Sequence, residues 1–115
     1  MRAATSLALL LLISSLTSLA EAACEYPAAI KIPDGKSATS DEIAAASTLV
    51  KKFLADTDAY LACMDAEEAA LPIEQQTPEV KSLHAKRHNS AVDAMEATAA
   101  QFNTQLRAFK AAGNK

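Results

Sequence analysis

The stretch TSDEIAAASTLVKKFLADTDAYLACMDAEEAAL, residues 39–71, decides the fold of this chain. Thr39 and Glu42 have the spacing of a capping box, in which each side chain accepts a hydrogen bond from the other residue's backbone amide. The stretch is rich in alanine, a strong helix former, and Pro72 disfavours helical geometry in the residue before it. The sequence therefore predicts one long α-helix over residues 39–71.

A second long helix is predicted after a connection at residues 72–77. Thr77 can cap this helix, and Pro78 would occupy its first position, where the missing amide proton of proline costs nothing. Gly113 is placed to end it. Residues 78–115 should therefore comprise the second helix and a short C-terminal tail.

Both predicted helices carry a stripe whose members alternate spacings of three and four residues, as in a heptad seam. The first stripe consists of Ile43, Ala46, Val50, Phe53, Thr57, Tyr60 and Met64. The second consists of His84, His88, Ala91, Met95, Thr98, Phe102, Gln105 and Phe109. A short connection implies antiparallel neighbours, so the predicted fold is all-α, an antiparallel two-helix hairpin with coiled-coil-like packing. Folding about Glu74 sets Met64 opposite His84.

Residues 23–38 contain two prolines and the turn sequence Pro33-Asp34-Gly35, so we expect an extended strap there. Fifteen extended residues reach about 50 Å, whereas the helix up to Cys63 is about 36 Å long. The strap can therefore run back along the first helix. A bond between Cys24 and Cys63 would fasten it there.

Residues 1–22 have the three parts of a secretory signal peptide. They have a positive start, an apolar run at residues 7–13 that is too short to span a bilayer, and a small-x-small cleavage site ending at Ala22. Export would place Cys24 and Cys63 in an oxidising compartment, where a disulfide is favoured. We expect an exported protein with no stable membrane insertion after cleavage.

Cys24 has an alternative role as the lipidated residue of a lipoprotein. That signal normally has an aliphatic residue three positions before the cysteine, and this chain has Glu21 there. Cleavage after Ala22 and pairing with Cys63 is therefore the favoured interpretation.

The pattern C-x-x-P…I-P-D-G-K-x-A-T-x-x-E-I-x-A-A-x-x-x-V-K-x-F…Y-x-x-C-M-D runs from Cys24 to Asp65. It resembles a group of small, uncharacterised exported proteins of Gram-negative proteobacteria. Their signature is a cysteine near the mature N-terminus, a P-D-G-x-x-A turn, E-[MI]-x-A-A at the start of a helix, and Y-x-x-C-[LM]. Ile43 stands where methionine is usual, and the second helix has no comparable motif. The resemblance implies a periplasmic location and a Cys24–Cys63 disulfide, and it implies no catalytic residues.

The composition argues against several classes of function. A net charge of −3 is unfavourable for nucleic-acid binding, which needs a basic face. With two glycines, a phosphate-cradling loop is not expected, and no Ser, His and Asp are spaced as a catalytic triad. We therefore expect a non-enzymatic protein without a cofactor. Its favoured function is protein–protein interaction in the cell envelope, including a holdase or stress-related role.

The flanks of the first helix suggest where such a contact would form. Leu54 and Leu61 lie on one flank of the seam, and Leu49 and Cys63 lie on the other. Our hypothesis is that the strap covers the Leu49 side. Leu54 and Leu61 would then be free to contact an unknown partner protein or a second copy, giving a four-helix homodimer.

His84 and His88 are four positions apart, so both rings project from one face of the second helix. Such a pair can hold a metal ion, with Glu67 or Glu68 as a third ligand. The alternative function is thus a small metal-binding or metal-sensing module. The pair lacks the glutamate of an HExxH motif, and the favoured interpretation is that both histidines complete the seam. A pH-responsive contact is a third interpretation.

Charged residues crowd the ends of the two helices that the connection joins. The C-terminal part of the first helix has three acidic residues, Asp65, Glu67 and Glu68. The N-terminal part of the second helix has three basic residues, Lys81, Lys86 and Arg87. Each cluster is at the unfavourable end of its own helix dipole. We expect the two clusters to offset each other across the hairpin.

Overall fold

The computed structural model describes residues 24–113, which fold as a helical hairpin. Helix α1 spans Ser40–Ala70, a short 3-10 helix spans Ile73–Gln75, and helix α2 spans Pro78–Ala111. The two long helices pack against each other, and no strand occurs within residues 24–113. The all-α hairpin prediction is confirmed. The signal peptide predicted at residues 1–22 lies outside the described residues.

The predicted caps determine where the helices begin and end. The hydroxyl of Thr39 accepts from the amide of Glu42 at 3.2 Å, and the amide of Thr39 donates to the Glu42 carboxylate at 2.7 Å. The hydroxyl of Thr77 accepts from the amide of Val80 at 3.3 Å. Gly113 has a φ of 77°, the left-handed geometry that ends a helix and suits glycine.

The predicted seam forms the contact between the helices. In α1, the predicted stripe is buried except for Tyr60, which is half-buried. In α2, Ala91 and Phe109 are buried and the other stripe residues are half-buried. Thr57 and Ala91, which the predicted register sets opposite each other, are both 0% exposed. The helices therefore pack most tightly at this midpoint.

The strap is fixed to the helices at its N-terminal end by covalent and aromatic contacts. Cys24 and Cys63 form a disulfide, so the expected bond is confirmed. The backbone amide of Cys24 donates to the carboxylate of Glu67 at 3.3 Å. The ring of Tyr26 lies edge-on to the ring of Tyr60, with centroids 5.1 Å apart. The Cys24 sulfur is therefore not free to carry a lipid.

The C-terminal end of the strap packs on the last turns of α2. The amide of Gly35 donates to the side-chain oxygen of Gln105 at 2.8 Å. Ala38 is buried in a cluster with Ile43 and Phe109. The strap thus runs antiparallel to α1 and contacts both helices.

Candidate functional site

His84 joins the end of α1 to the beginning of α2. Its Nε2 atom lies 3.0 Å from Asp65 Oδ1, and its Nδ1 atom lies 2.8 Å from Glu68 Oε2. Only the doubly protonated imidazolium can donate to both carboxylates at once, because neutral histidine has one ring N–H. The contact is also consistent with the predicted register, since His84 and Met64 line the same surface cavity.

Of the other residues of the proposed metal site, Glu68 contacts His84, but His88 and Glu67 do not join them. The ring of His88 lies 6.3 Å from that of His84, centroid to centroid, and Glu67 instead accepts from the Cys24 amide. Within residues 24–113, three ligand-type atoms converge within 4.8 Å only at Cys24, Cys63 and Glu67, where the two sulfurs are already bonded. A metal ion held by both histidines would have to displace a carboxylate from His84. Of the two third ligands that the sequence offers, Glu67 and Glu68, Glu68 is the one at His84, and the contact with Asp65 is not predicted from the sequence.

Among residues 24–113, the acidic and basic clusters do not meet in close ion pairs, and their mutual offset across the hairpin stays a prediction. Asp65 and Glu68 contact His84, and no ion pair in the described part of the chain involves the basic cluster of Lys81, Lys86 and Arg87. His84 lies in the seam facing α1, and the three basic residues are exposed, although Arg87 lines one cavity with Glu67 and Glu68.

A groove separates the strap from α1 on the Leu49 flank. Its volume is about 600 Å³, and its lining includes Tyr26 and Ile30 of the strap and Leu49 and Phe53 of α1. Tyr26 is 47% exposed and Leu49 is 46% exposed. The strap therefore lies on the predicted side of α1 but leaves Leu49 largely uncovered.

The opposite flank of the hairpin carries five half-buried apolar residues, which we call the apolar row. They recur at intervals of seven along each helix: Leu54 and Leu61 in α1, and Val92, Ala99 and Leu106 in α2. None of them lines the groove under the strap. Helix geometry turns this row away from Leu49 and Cys63.

No family model, curated protein or solved structure matches this chain. Within residues 24–113, neither long helix has an apolar stretch able to cross a membrane.

Proposed function

We propose that this chain is an exported, non-enzymatic helical-hairpin protein of the cell envelope that acts through protein–protein contact at the apolar row. The row carries the proposal. The strap can cover only one face of a two-helix hairpin. The apolar row lies on the other face, and its residues recur every seven positions, as they do where helices pack against each other. Its residues are half-buried within one copy of the chain, and further burial against a partner would be favourable.

The proposed partner is a second copy of the chain. Leu54 and Leu61 on α1 and the three row residues on α2 would give each subunit the same apolar surface, as a two-fold dimer requires. Two such hairpins packed row to row form a four-helix bundle, in which each helix gains a second packed side. An unfolded client protein, as in a holdase, is the other occupant that the same surface could accept.

Export to the periplasm is part of the proposal. The disulfide between Cys24 and Cys63 supports an oxidising compartment, because such bonds rarely persist where thiol reductants are abundant. The signal-peptide pattern of residues 1–22 supports the route.

The test is the oligomeric state of the disulfide-bonded mature protein at micromolar concentration, measured by sedimentation velocity. We expect a dimer for the unmodified protein, a monomer for Leu54→Glu or Leu61→Glu, and a dimer for Leu49→Glu. The last variant is the matched control, since it introduces the same charge on the opposite flank. An unmodified protein that stays monomeric, or a Leu49→Glu variant that dissociates like the others, would contradict the proposal.

A further inference from the structure

Two cationic side chains at the beginning of α2 have no anionic partner within residues 24–113. Lys86 and Arg87 are exposed and form no ion pair, although three carboxylates lie on the facing end of α1. Those carboxylates are engaged elsewhere, two by the ring of His84 and one by the backbone amide of Cys24. The positive charge of this turn of α2 is therefore available to a ligand.

The same two cations line a surface pocket with hydroxyl-bearing side chains. The pocket has a volume of about 320 Å³ and is lined by Tyr26, Tyr60, Lys86, Arg87 and Ser90. Three separate parts of the chain meet there, since one tyrosine belongs to the strap, the other to α1, and the remaining residues to one turn of α2. The lining thus offers an ammonium group, a guanidinium group, a serine hydroxyl and two phenol rings.

The disulfide determines the position of the aromatic wall of this pocket. Cys24 precedes Tyr26 by two residues, and Cys63 follows Tyr60 by three residues, so the bond holds the two rings together. The rings meet edge to face with centroids 5.1 Å apart. This arrangement is one of the favourable geometries for aromatic pairs.

We propose that this pocket binds a phosphate group carried on a small aromatic or apolar molecule, that is, a soluble phosphate monoester. Arginine and lysine are the preferred protein partners of phosphate oxygens, and the Ser90 hydroxyl can donate a further hydrogen bond. The Tyr26 and Tyr60 rings offer an apolar surface to the group that carries the phosphate. The site does not depend on the proposed dimer.

The neighbouring acidic residues limit the affinity. Arg87 also lines a second cavity together with Glu67 and Glu68, whose negative charge opposes an incoming anion. With two exposed cations as its main binding groups, the site should hold phenyl phosphate with a Kd on the order of 1 mM. Inorganic phosphate should bind more weakly, because it lacks the ring that would contact the tyrosines.

The experiment is a titration of the ¹⁵N-labelled, disulfide-bonded mature protein with phenyl phosphate and with inorganic phosphate, followed by amide chemical shifts. We expect saturable shifts at Arg87, Ser90 and Tyr26. The double variant Lys86→Gln, Arg87→Gln should lose at least about tenfold in affinity, because both charge-assisted contacts are removed. The double variant Arg107→Gln, Lys110→Gln is the matched control, since it also removes two positive charges, at the far end of α2, and should leave binding unchanged.

Several results would overturn the proposal. One is an absence of saturable shifts, and another is equal affinity in the double variant and the unmodified protein. Tyr26→Ala should reduce the affinity for phenyl phosphate to that for inorganic phosphate. If the variant still preferred phenyl phosphate, the tyrosine rings would not contact the group that carries the phosphate. Binding to vesicles containing phosphatidic acid that the double variant loses, with no shifts caused by phenyl phosphate, would replace the soluble ester with a lipid headgroup. Leu54→Glu should bind phenyl phosphate normally, which separates this test from that of the dimer.

Discussion

Replacing Gly35 with alanine tests how the strap is seated on α2. A Cβ atom built at Gly35 would lie 1.9 Å from the carbonyl oxygen of Gln105, 2.8 Å from its carbonyl carbon and 2.9 Å from the amide nitrogen of Phe109. All three are backbone atoms of a helix, so they cannot move aside as a flexible side chain would. The turn of the strap would have to lift off α2 instead.

The expected cost follows from what that movement breaks. Overpacking of this kind costs about 1–3 kcal/mol, and the lost hydrogen bond from the Gly35 amide to Gln105 adds about 1 kcal/mol. In a domain of roughly 90 residues each kcal/mol lowers the melting temperature by about 4–8 °C, so Gly35→Ala should lower it by at least about 8 °C. The assay is thermal and urea unfolding followed by circular dichroism.

The sign of the effect makes this prediction discriminating. Among the described residues, Gly113 has the positive φ and Gly35 does not. Where space permits, replacing a glycine that lacks a positive φ with alanine usually stabilises a protein by about 0.4–1 kcal/mol, because alanine restricts the unfolded chain. A Gly35→Ala variant as stable as the unmodified protein, or more so, would therefore refute the close contact. Gly113→Ala is the control: no atom lies within 4 Å of its Cβ, and its φ predicts a loss of only about 1 kcal/mol.

Three further variants test the hairpin. The double variant Cys24→Ser, Cys63→Ser should lose about 4 kcal/mol of unfolding free energy in urea, since the bond closes a loop with a sequence separation of 39; a loss below about 1 kcal/mol would contradict this. His84→Ala should lose about 1 kcal/mol or less, because Asp65 is 61% exposed and is hydrated once the ring is removed, and zinc should affect the melting temperatures of the variant and the unmodified protein equally. A melting temperature that zinc raises only when His84 is present would instead favour the metal-binding hypothesis. Ala91→Leu should cost about 1–3 kcal/mol at the tightest point of the seam, whereas Ala97→Leu on the exposed face of α2 should be nearly neutral.

The architecture could be predicted because local signals and periodicity agree. Thr39 with Glu42, and Thr77 with Pro78, mark the beginnings of the helices through contacts within one turn. The seven-residue periodicity then fixes which faces meet, and the short connection fixes their antiparallel direction. These signals require no knowledge of distant contacts.

The contacts of His84 and of the strap could not be predicted in the same way. They depend on which of several side chains of similar chemistry lies nearest. Periodicity places the acidic end of α1 beside the basic end of α2, but side-chain direction decides that Asp65 meets His84 and not a lysine. No repeating pattern in the sequence tells which side chains of the strap face the helices. An extended segment with two prolines can lie on a helix pair in many orientations. The contact of Gly35 with Gln105 and the pocket beside Tyr26 both follow from that orientation.

The disulfide should also link the folding of this chain to its compartment. The described residues bury few large side chains, and a domain of this size obtains only a few kcal/mol from its core. A bond that contributes about 4 kcal/mol is comparable with that whole stability. Before oxidation, the strap would be held by the packing of Gly35 and Ala38 at one end and by the Tyr26–Tyr60 contact at the other. The reduced chain should therefore be unfolded in a large fraction of molecules at physiological temperature, and it should fold completely only where the Cys24–Cys63 bond can form.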